Sequence, residues 1–218
     1  MSAVTVDRPW LEFDLGREMQ VLSWAVHRPG LVRARRILWR EVRNADLPEE
    51  LDVETWLQGE LAARGASDAV TFLTSRDIRH VTRAAATIGE IEAQAVATVG
   101  LSNAERVGHR IDYTGRDWGT INVALRLNRG LTETALLEAM SIAVEARTAA
   151  VIEADMTLGT GPATGTGTDC VAVAAPPGAH RYAGLHTGIG EAVGRAVYDA
   201  VLEGACHWLA TAGGKTAS

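Results

Sequence analysis

A run rich in glycine and threonine, from Met156 to Asp169, constrains the fold of this chain more than any other feature. It reads MTLGTGPATGTGTD and contains four glycines. Glycine loses much conformational freedom on folding and offers no side chain to pack, so the run is neither an interior helix nor an ordinary strand. The apolar segment 170–175 follows directly and is typical of a buried strand. The sequence therefore predicts a loop against a core strand, with Asp169 at the junction. A flexible surface linker is the alternative, although linkers rarely continue straight into a core strand.

The composition limits the chemistry that this run can serve. The only lysine is Lys215, so a Schiff-base enzyme and a phosphate-binding GxxxxGK(S/T) loop are not expected. A net charge of −6 argues against a nucleic-acid groove and against a polybasic membrane surface. The two cysteines, Cys170 and Cys206, both stand in apolar surroundings, which favours reduced thiols over a disulfide framework.

The terminal sequence and the absence of long linkers predict the location of the protein and its number of domains. The N-terminus has no basic head followed by an apolar run, and no stretch approaches the length of a membrane-spanning segment. We therefore expect a cytoplasmic protein. Its 218 residues contain no internal repeat and no long linker, which predicts one domain over residues 1–218.

Strand-like and helix-like segments alternate along the chain. Helical spacing predicts a helix within 47–64 that stops at Gly65, and two long helices over 131–155 and 187–209, the first capped by Thr132. Strands are expected at 21–26, 36–42, 69–74, 80–86, 91–99, 119–127 and 170–175. The pattern predicts an α/β fold, a single domain with a mixed β-sheet and two long C-terminal helices packed on it. Gly190 and Gly194 would let the last helix pack closely, against the sheet or against a second copy in a homo-oligomer.

Polar residues gather where the predicted strands end, in segments 75–77, 100–103, 119–122 and 164–169. Any one such segment is more often a simple turn. Four of them in one α/β chain favour a shared pocket, because loops at strand ends converge on one crevice.

Three residues follow the chain order of a hydrolase triad. Ser102 stands after a strand, and Asp169 and His186 follow it downstream. Ala104 replaces the second glycine of a nucleophile elbow, however, which favours a turn role for Ser102. His186 precedes the last helix, where it serves either as a base or as a cap.

Metal-binding and phosphate-binding patterns are weak or absent. The chain has no HExxH, no CxxC and no acidic calcium loop, and a site built from His109, His186, Asp169 and Glu145 has no support beyond residue type. No resident metal is predicted. Glu145 lies among apolar neighbours on the long helix, as a functional carboxylate or as an exposed one. A phosphate cradle in the run is disfavoured, since a strand rather than a helix follows it.

Taken together, these segments resemble a known family. Its motifs correspond to Thr74–Arg76 (TSR), Thr98–Asn103 (TVGLSN), Gly119–Asn122 (GTIN), Val144–Ala150 (VEARTAA), Ala163–Asp169 (ATGTGTD) and Gly184–His186 (GLH). In order and spacing they resemble the adenosylcobinamide amidohydrolases over roughly 22–202. Arg147 stands where a lysine is expected, which keeps the charge and excludes only a lysine-specific role.

The resemblance implies a corrinoid-salvage reaction. An amidohydrolase of this kind cleaves the amide between the aminopropanol arm and the corrin ring of adenosylcobinamide, giving adenosylcobyric acid for cobamide synthesis. The corrinoid is then a small-molecule substrate. No cofactor is implied, and a catalytic metal stays open. The rival interpretations are a non-catalytic corrinoid carrier and a metallohydrolase that uses its own ion.

The resemblance also directs the choice of site residues. As a hypothesis, His186, oriented by Asp169, is base and then acid, and Ser102 and Glu145 are the other catalytic candidates. The Gly165 and Gly167 backbone and the Thr166 or Thr168 hydroxyl would donate to the oxyanion. The substrate-binding candidates are completed by Ser75, Arg76 and Thr120, with Asn103 and Asn122 holding the propionamide groups of the ring.

Overall fold

The computed structural model describes residues 3–43, 46–48, 50–112 and 119–211. In chain order these residues form β1 (Val4–Asp7), β2 (Trp10–Ser23), β3 (Gly30–Glu41), α1 (Val53–Arg64), β4 (Val70–Thr74), β5 (Thr82–Ile88), β6 (Ile91–Val99), β7 (Ala104–Glu105), β8 (Ile121–Leu127), α2 (Glu133–Glu153), β9 (Thr157–Leu158), β10 (Gly161–Pro162), β11 (Gly165–Thr166), β12 (Cys170–Ala175) and α3 (Gly188–Thr211). A short 3-10 turn, Ile78–His80, joins β4 to β5.

One mixed sheet organises the described part of the chain. Its strand order is β4–β3–β2–β12–β8–β6–β5, with β1 paired to β2. The pairs β3–β4 and β8–β12 are parallel, whereas the other neighbours are antiparallel. Both α2 and α3 pack on one face of this sheet. The predicted α/β fold with a mixed sheet and two long C-terminal helices is therefore confirmed.

The helix ends follow their local sequence. The Thr132 hydroxyl accepts a hydrogen bond from Ala135 N (3.3 Å) at the start of α2, which confirms the predicted N-cap. Gly65 has φ 66° and ends α1, as predicted, because the left-handed conformation there suits a residue without a side chain. No described helix is both long and apolar enough to cross a membrane.

Strand β2 is longer than the sequence predicts. The sequence favours a buried strand at 21–26 and, separately, one or two extended pieces around Pro9, whereas β2 runs from Trp10 to Ser23 as one strand. Its pairing with β3 shifts register between Asp14 and Met19, and Gly16 within this bulge has φ 76°. A bulge breaks the alternation of apolar and polar residues, which is the signal by which a strand is recognised. The long strand therefore looked like two short ones.

On the second face of the sheet, β4 packs against the central strands. A core beneath it joins Phe13, Trp39 and Phe72 of β2, β3 and β4 to Ala124 and Ala172 of the central strands. Strands β2 to β4 therefore fold over this face.

The end of β4 consequently lies against the ends of β6 and β8. Asn122 Nδ2 donates to Leu73 O (2.7 Å), and the Thr74 and Thr98 hydroxyls are 3.4 Å apart. This contact places the polar segment after β4 beside the other polar strand ends.

Helix α3 approaches the sheet most closely near its C-terminal end. A Cβ atom placed on Gly204 would lie 2.6 Å from Val99 Cγ2. The glycines singled out from the sequence behave differently, because a Cβ on Gly190 would meet the backbone of residues 183–184 and one on Gly194 would lie 3.8 Å from Ile142 of α2. The prediction that these two glycines pack against the sheet is wrong.

Substitution of the two helix glycines tests this packing. We expect Gly204→Ala to lower the free energy of unfolding by about 1–3 kcal/mol, because the new methyl group overpacks Val99. The control is Gly194→Ala in the same helix, where the methyl group has room. There, stability should stay unchanged or rise by up to about 1 kcal/mol from helix propensity. Urea unfolding measures both, and equal effects of the two substitutions would contradict the close approach at Gly204.

Candidate active site

The polar strand ends meet at one edge of the sheet. Thr120 Oγ1 donates to Thr168 O (2.9 Å), and Thr168 Oγ1 donates to Gly119 O (3.0 Å). Gly167 N donates to Asn103 O (3.3 Å), which ties the same loop to the turn after β6. The structure therefore brings together the segments after β6, before β8 and before β12, and the end of β4 lies beside them.

The glycine- and threonine-rich run forms a folded loop rather than a flexible linker. Its residues form the short strands β9, β10 and β11, and β11 pairs with β7. A Cβ atom on Gly165 would lie 2.4 Å from Arg147 Nη1 and 2.6 Å from Asp169 Oδ2, so only glycine fits there. The exposed tip of the loop is Gly167–Thr168.

Asp169 anchors this loop. Its Oδ1 accepts hydrogen bonds from Ile121 N (3.1 Å) and from the Thr166 hydroxyl, and its Oδ2 accepts from Thr166 N (3.0 Å) and from Arg147 Nη1. The Asp169 and Arg147 side chains are only 7% and 12% exposed. A carboxylate offers about four lone-pair positions, and here all are taken. The structure therefore favours an anchoring role for Asp169 over proton transfer.

His186 lies at the opposite end of the sheet. It precedes α3, where a Cβ on Gly188 would lie 3.0 Å from Ile91 Cδ1 at the start of β6. Asp169 instead bonds Ile121, which pairs with Val99 at the end of β6. The nine residues of β6 span about 27 Å. The prediction that Asp169 orients His186 is therefore wrong, and Ser102, Asp169 and His186 form no triad.

Two further catalytic candidates occupy different places. Ser102 is half-buried in the turn after β6, and a Cβ on Gly119 would lie 2.6 Å from its nitrogen, so it does lie at the loop cluster. Glu145 is exposed on α2 and lines a groove of about 370 Å³ between α2 and α3, with Leu185 and Tyr198. The structure thus keeps Ser102 near the site and separates Glu145 from it.

The two asparagines are internal ties rather than substrate ligands. Asn103 and Asn122 are both buried. Asn103 Oδ1 accepts from Gly119 N (3.1 Å) and its Nδ2 donates to Thr168 Oγ1 (3.4 Å), whereas Asn122 bonds Leu73 and the Thr120 hydroxyl. Both amides are engaged within the protein, which favours a role as ties between the loops over the predicted role in holding propionamide groups.

A cavity of about 330 Å³, here called the hydroxyl pocket, opens on one side of the loop tip. Its lining combines the hydroxyl residues Thr74, Ser75, Thr120 and Thr168 with aliphatic residues such as Val42 and Leu73, and it also includes Arg43. The Thr166 and Thr168 hydroxyl hydrogens already bond Asp169 and Gly119 O. These two hydroxyls can therefore offer a ligand lone pairs, but no free hydrogen.

A second cavity of about 560 Å³, here called the charged cavity, opens on the α2 side of the loop. Its lining includes Glu105, Arg106, His109, Arg110, Arg147 and Thr166. Glu105 Oε1 would lie 3.6 Å from a Cβ on Gly167, so this carboxylate stands at the loop tip. In the part of the chain that the structure describes, the Glu105 carboxylate has no hydrogen-bond or ion-pair partner.

Sequence reasoning missed Glu105, because the charged segment from 105 onward reads as a solvated loop. Its only sequence signal is its place two residues after Asn103, the last residue of the GLSN segment. His109, named from the sequence only in an unsupported metal set, is exposed and lines the charged cavity.

Arg76 has an unusual environment for an arginine. Its Nε and Nη2 are buried without a hydrogen-bond partner among the described residues. Burial lowers the pKa of the guanidinium from its ordinary value. Buried donors without acceptors are costly, so this side chain is suited to bind an oxygen atom of a ligand.

The described residues hold no group of three or more His, Cys, Asp or Glu side chains that could bind a metal ion. The combination of His109, His186, Asp169 and Glu145 is not assembled.

The buried ion pair predicts a large loss of stability when it is broken. We expect Asp169→Asn to lower the free energy of unfolding by about 3 kcal/mol or more, because Arg147 would remain buried without its anion. The matched control is Asp68→Asn, which removes the mostly exposed pair with Arg36 and should cost less than about 1 kcal/mol. Equal losses in urea unfolding would contradict the anchoring role of Asp169.

The two cysteines should differ in reactivity. Burial raises the pKa of the Cys170 thiol to about 11, whereas Cys206 is exposed on α3. At pH 8 only about one Cys170 in a thousand is then a thiolate, which is the reactive form. We expect iodoacetamide to modify Cys206 well before Cys170 in the folded protein, as followed by peptide mass spectrometry. Equal rates, with Cys206→Ala as control, would refute the burial of Cys170.

Comparisons with known proteins support the resemblance noted from the motifs. A family model described as adenosylcobinamide amidohydrolase (CbiZ) matches residues 2–213. A search of curated proteins found no match. Among solved structures, the PH0078 protein from Pyrococcus horikoshii OT3 matches with a TM-score of 0.45 and 8% identity, over 93% of this chain and 82% of that one. The family name describes a hydrolase that acts on adenosylcobinamide, a corrinoid. With nearly all of its length matched, the chain belongs to the adenosylcobinamide amidohydrolase family.

Proposed function

We propose that this chain hydrolyses the amide that joins the aminopropanol arm to the corrin ring of adenosylcobinamide. Water adds to the amide carbonyl, the C–N bond breaks, and the products are aminopropanol and adenosylcobyric acid. The observation that carries this proposal is the exposed loop tip Gly167–Thr168, which has the hydroxyl pocket on one side. On its other side stands the Glu105 carboxylate, which has no partner among the described residues.

The hydroxyl pocket suits the arm in size and in lining. Its 330 Å³ is near the lower limit for small-molecule sites, so it accepts one arm of the substrate and leaves the macrocycle outside. The aliphatic side chains of Val42 and Leu73 match the methylene and methyl groups of the arm. The hydroxyl oxygens of the lining can accept hydrogen bonds from its amide N–H and its alcohol.

Glu105 is the general base in this proposal. Amide hydrolysis needs a base for the attacking water and an acid for the departing nitrogen, and one carboxylate can serve both steps in turn. Asp169 is unsuitable, since its oxygens are occupied by Ile121, Thr166 and Arg147.

The oxyanion requires a donor near the same loop tip. The Thr168 peptide N–H lies there and has no acceptor among the described residues. Arg76 follows the pocket residue Ser75 and has two guanidinium nitrogens without a partner among the described residues, and in this proposal it binds another oxygen of the substrate.

Replacement of Glu105 tests the base directly. We expect Glu105→Gln to lower kcat by about 100-fold or more, because an amide cannot take the proton from water. Glu145→Gln, which changes an exposed carboxylate in the groove on α2, is the matched control and should keep wild-type kcat. Chromatography of adenosylcobyric acid measures the product.

Three results would overturn parts of the proposal. Near-normal kcat in Glu105→Gln would remove Glu105 as base. Loss of turnover on exhaustive chelation would assign water activation to a metal ion. Binding of adenosylcobinamide without product in metal-replete buffer would favour the carrier interpretation.

A further inference from the structure

Trp24 is exposed next to residues that line the hydroxyl pocket, and its indole is held by a hydrogen bond. The residue follows β2 and is 44% exposed. Its indole Nε1 donates to Asp169 O (2.6 Å), and its carbonyl lies 3.6 Å from Cys170 Sγ, which donates to it. Cys170 and Val26 both line the hydroxyl pocket. The indole is therefore bonded to the base of the loop, next to residues that line the pocket.

Exposure of a single apolar side chain is ordinary on its own. Trp24 differs because its polar edge bonds the loop while much of its hydrocarbon surface stays in water. An aromatic group held in this way offers a large contact area and has little conformational freedom left to lose on binding. Such a side chain suits the recognition of another flat ring.

The hydroxyl pocket is too small to hold a whole corrinoid, so the ring needs a contact outside it. Because the 330 Å³ hydroxyl pocket takes only one arm, the rest of a corrinoid must rest on the surface around its mouth. A loop tip of glycine and threonine offers little apolar area there. Trp24 is bonded to the other end of the same loop, at Asp169.

We propose that Trp24 is the platform on which a flat conjugated ring of the substrate stacks while the aminopropanol arm occupies the hydroxyl pocket. This inference rests on the proposed function for the identity of the ligand. Adenosylcobinamide carries two flat conjugated systems, the corrin and the adenine of its upper ligand, and both have the chemistry that an indole face recognises.

Binding, rather than turnover, tests the platform. Equilibrium dialysis read by corrinoid absorbance gives Kd for wild type, Trp24→Phe and Trp24→Leu, each corrected for the folded fraction. Loss of aromatic stacking in Trp24→Leu should raise Kd about tenfold or more. Trp24→Phe keeps a ring but loses the N–H donor, so its Kd should stay within about threefold of wild type.

Tyr182→Leu supplies the matched control. Tyr182 is another exposed aromatic residue, 67% accessible, and it precedes α3 at the far end of the sheet. Its replacement should leave Kd unchanged. A parallel series with cobinamide that lacks the adenosyl ligand separates the two rings, because a loss seen with both compounds assigns the corrin and a loss seen only with the adenosyl form assigns the adenine.

The outcomes separate this inference from the proposed function. Wild-type affinity in Trp24→Leu overturns the platform, and so does an equal loss in Trp24→Phe and Trp24→Leu, which would identify the bond to Asp169 as the important feature. Tight binding that depends on the aromatic ring, without amide cleavage, supports the platform and refutes hydrolysis. A wild-type protein that binds no corrinoid refutes both.

Discussion

The buried ion pair between Arg147 and Asp169 is the contact on which the rest of the site depends. It joins α2 to the loop, and the same carboxylate also holds Thr166 and the first residue of β8. Removal of one partner from such a pair is costly because the other charge stays buried. Only Nη1 of Arg147 bonds the carboxylate, and its Nε is buried without a partner in the described part of the chain. A lysine could supply the same single contact, so the position requires a cation rather than a guanidinium.

The four hydrogen bonds of Asp169 indicate a structural role for this residue in the loop rather than proton transfer. A carboxylate held by four donors positions the backbone well, but it has little capacity left for a proton. Glu105 is in the opposite situation, since it stands at the loop tip without a partner among the described residues. Asp169, a catalytic candidate from the sequence, therefore anchors the loop, and the proposed base is Glu105, whose sequence context was that of a solvated loop.

Local sequence predicted the elements better than it predicted the site. The cap at Thr132, the stop at Gly65 and both long helices depend on neighbouring residues, so they were readable. The bulge in β2 and the position of His186 were not. The polar segments at the strand ends lie together at one end of the sheet. His186 precedes α3, which starts at the opposite end of the strands and runs toward the site. That direction depends on the path of the whole chain, which no local pattern contains.

The roles of the two asparagines were not predictable for the same reason, because they too depend on the path of the whole chain. Amides at strand ends look alike in sequence whether they bind a ligand or tie loops, and only the fold of β4 over β8 buries Asn122. Asn103, Asn122 and the Thr166 and Thr168 hydroxyls bond within the protein, so several contacts hold the loop tip before substrate arrives. Glu105 and Arg76, whose side chains have polar atoms without a partner among the described residues, carry opposite charge. Hydrolysis needs both kinds, because water must lose a proton while an oxygen gains negative charge, and fixed groups stabilise that change without reorganisation.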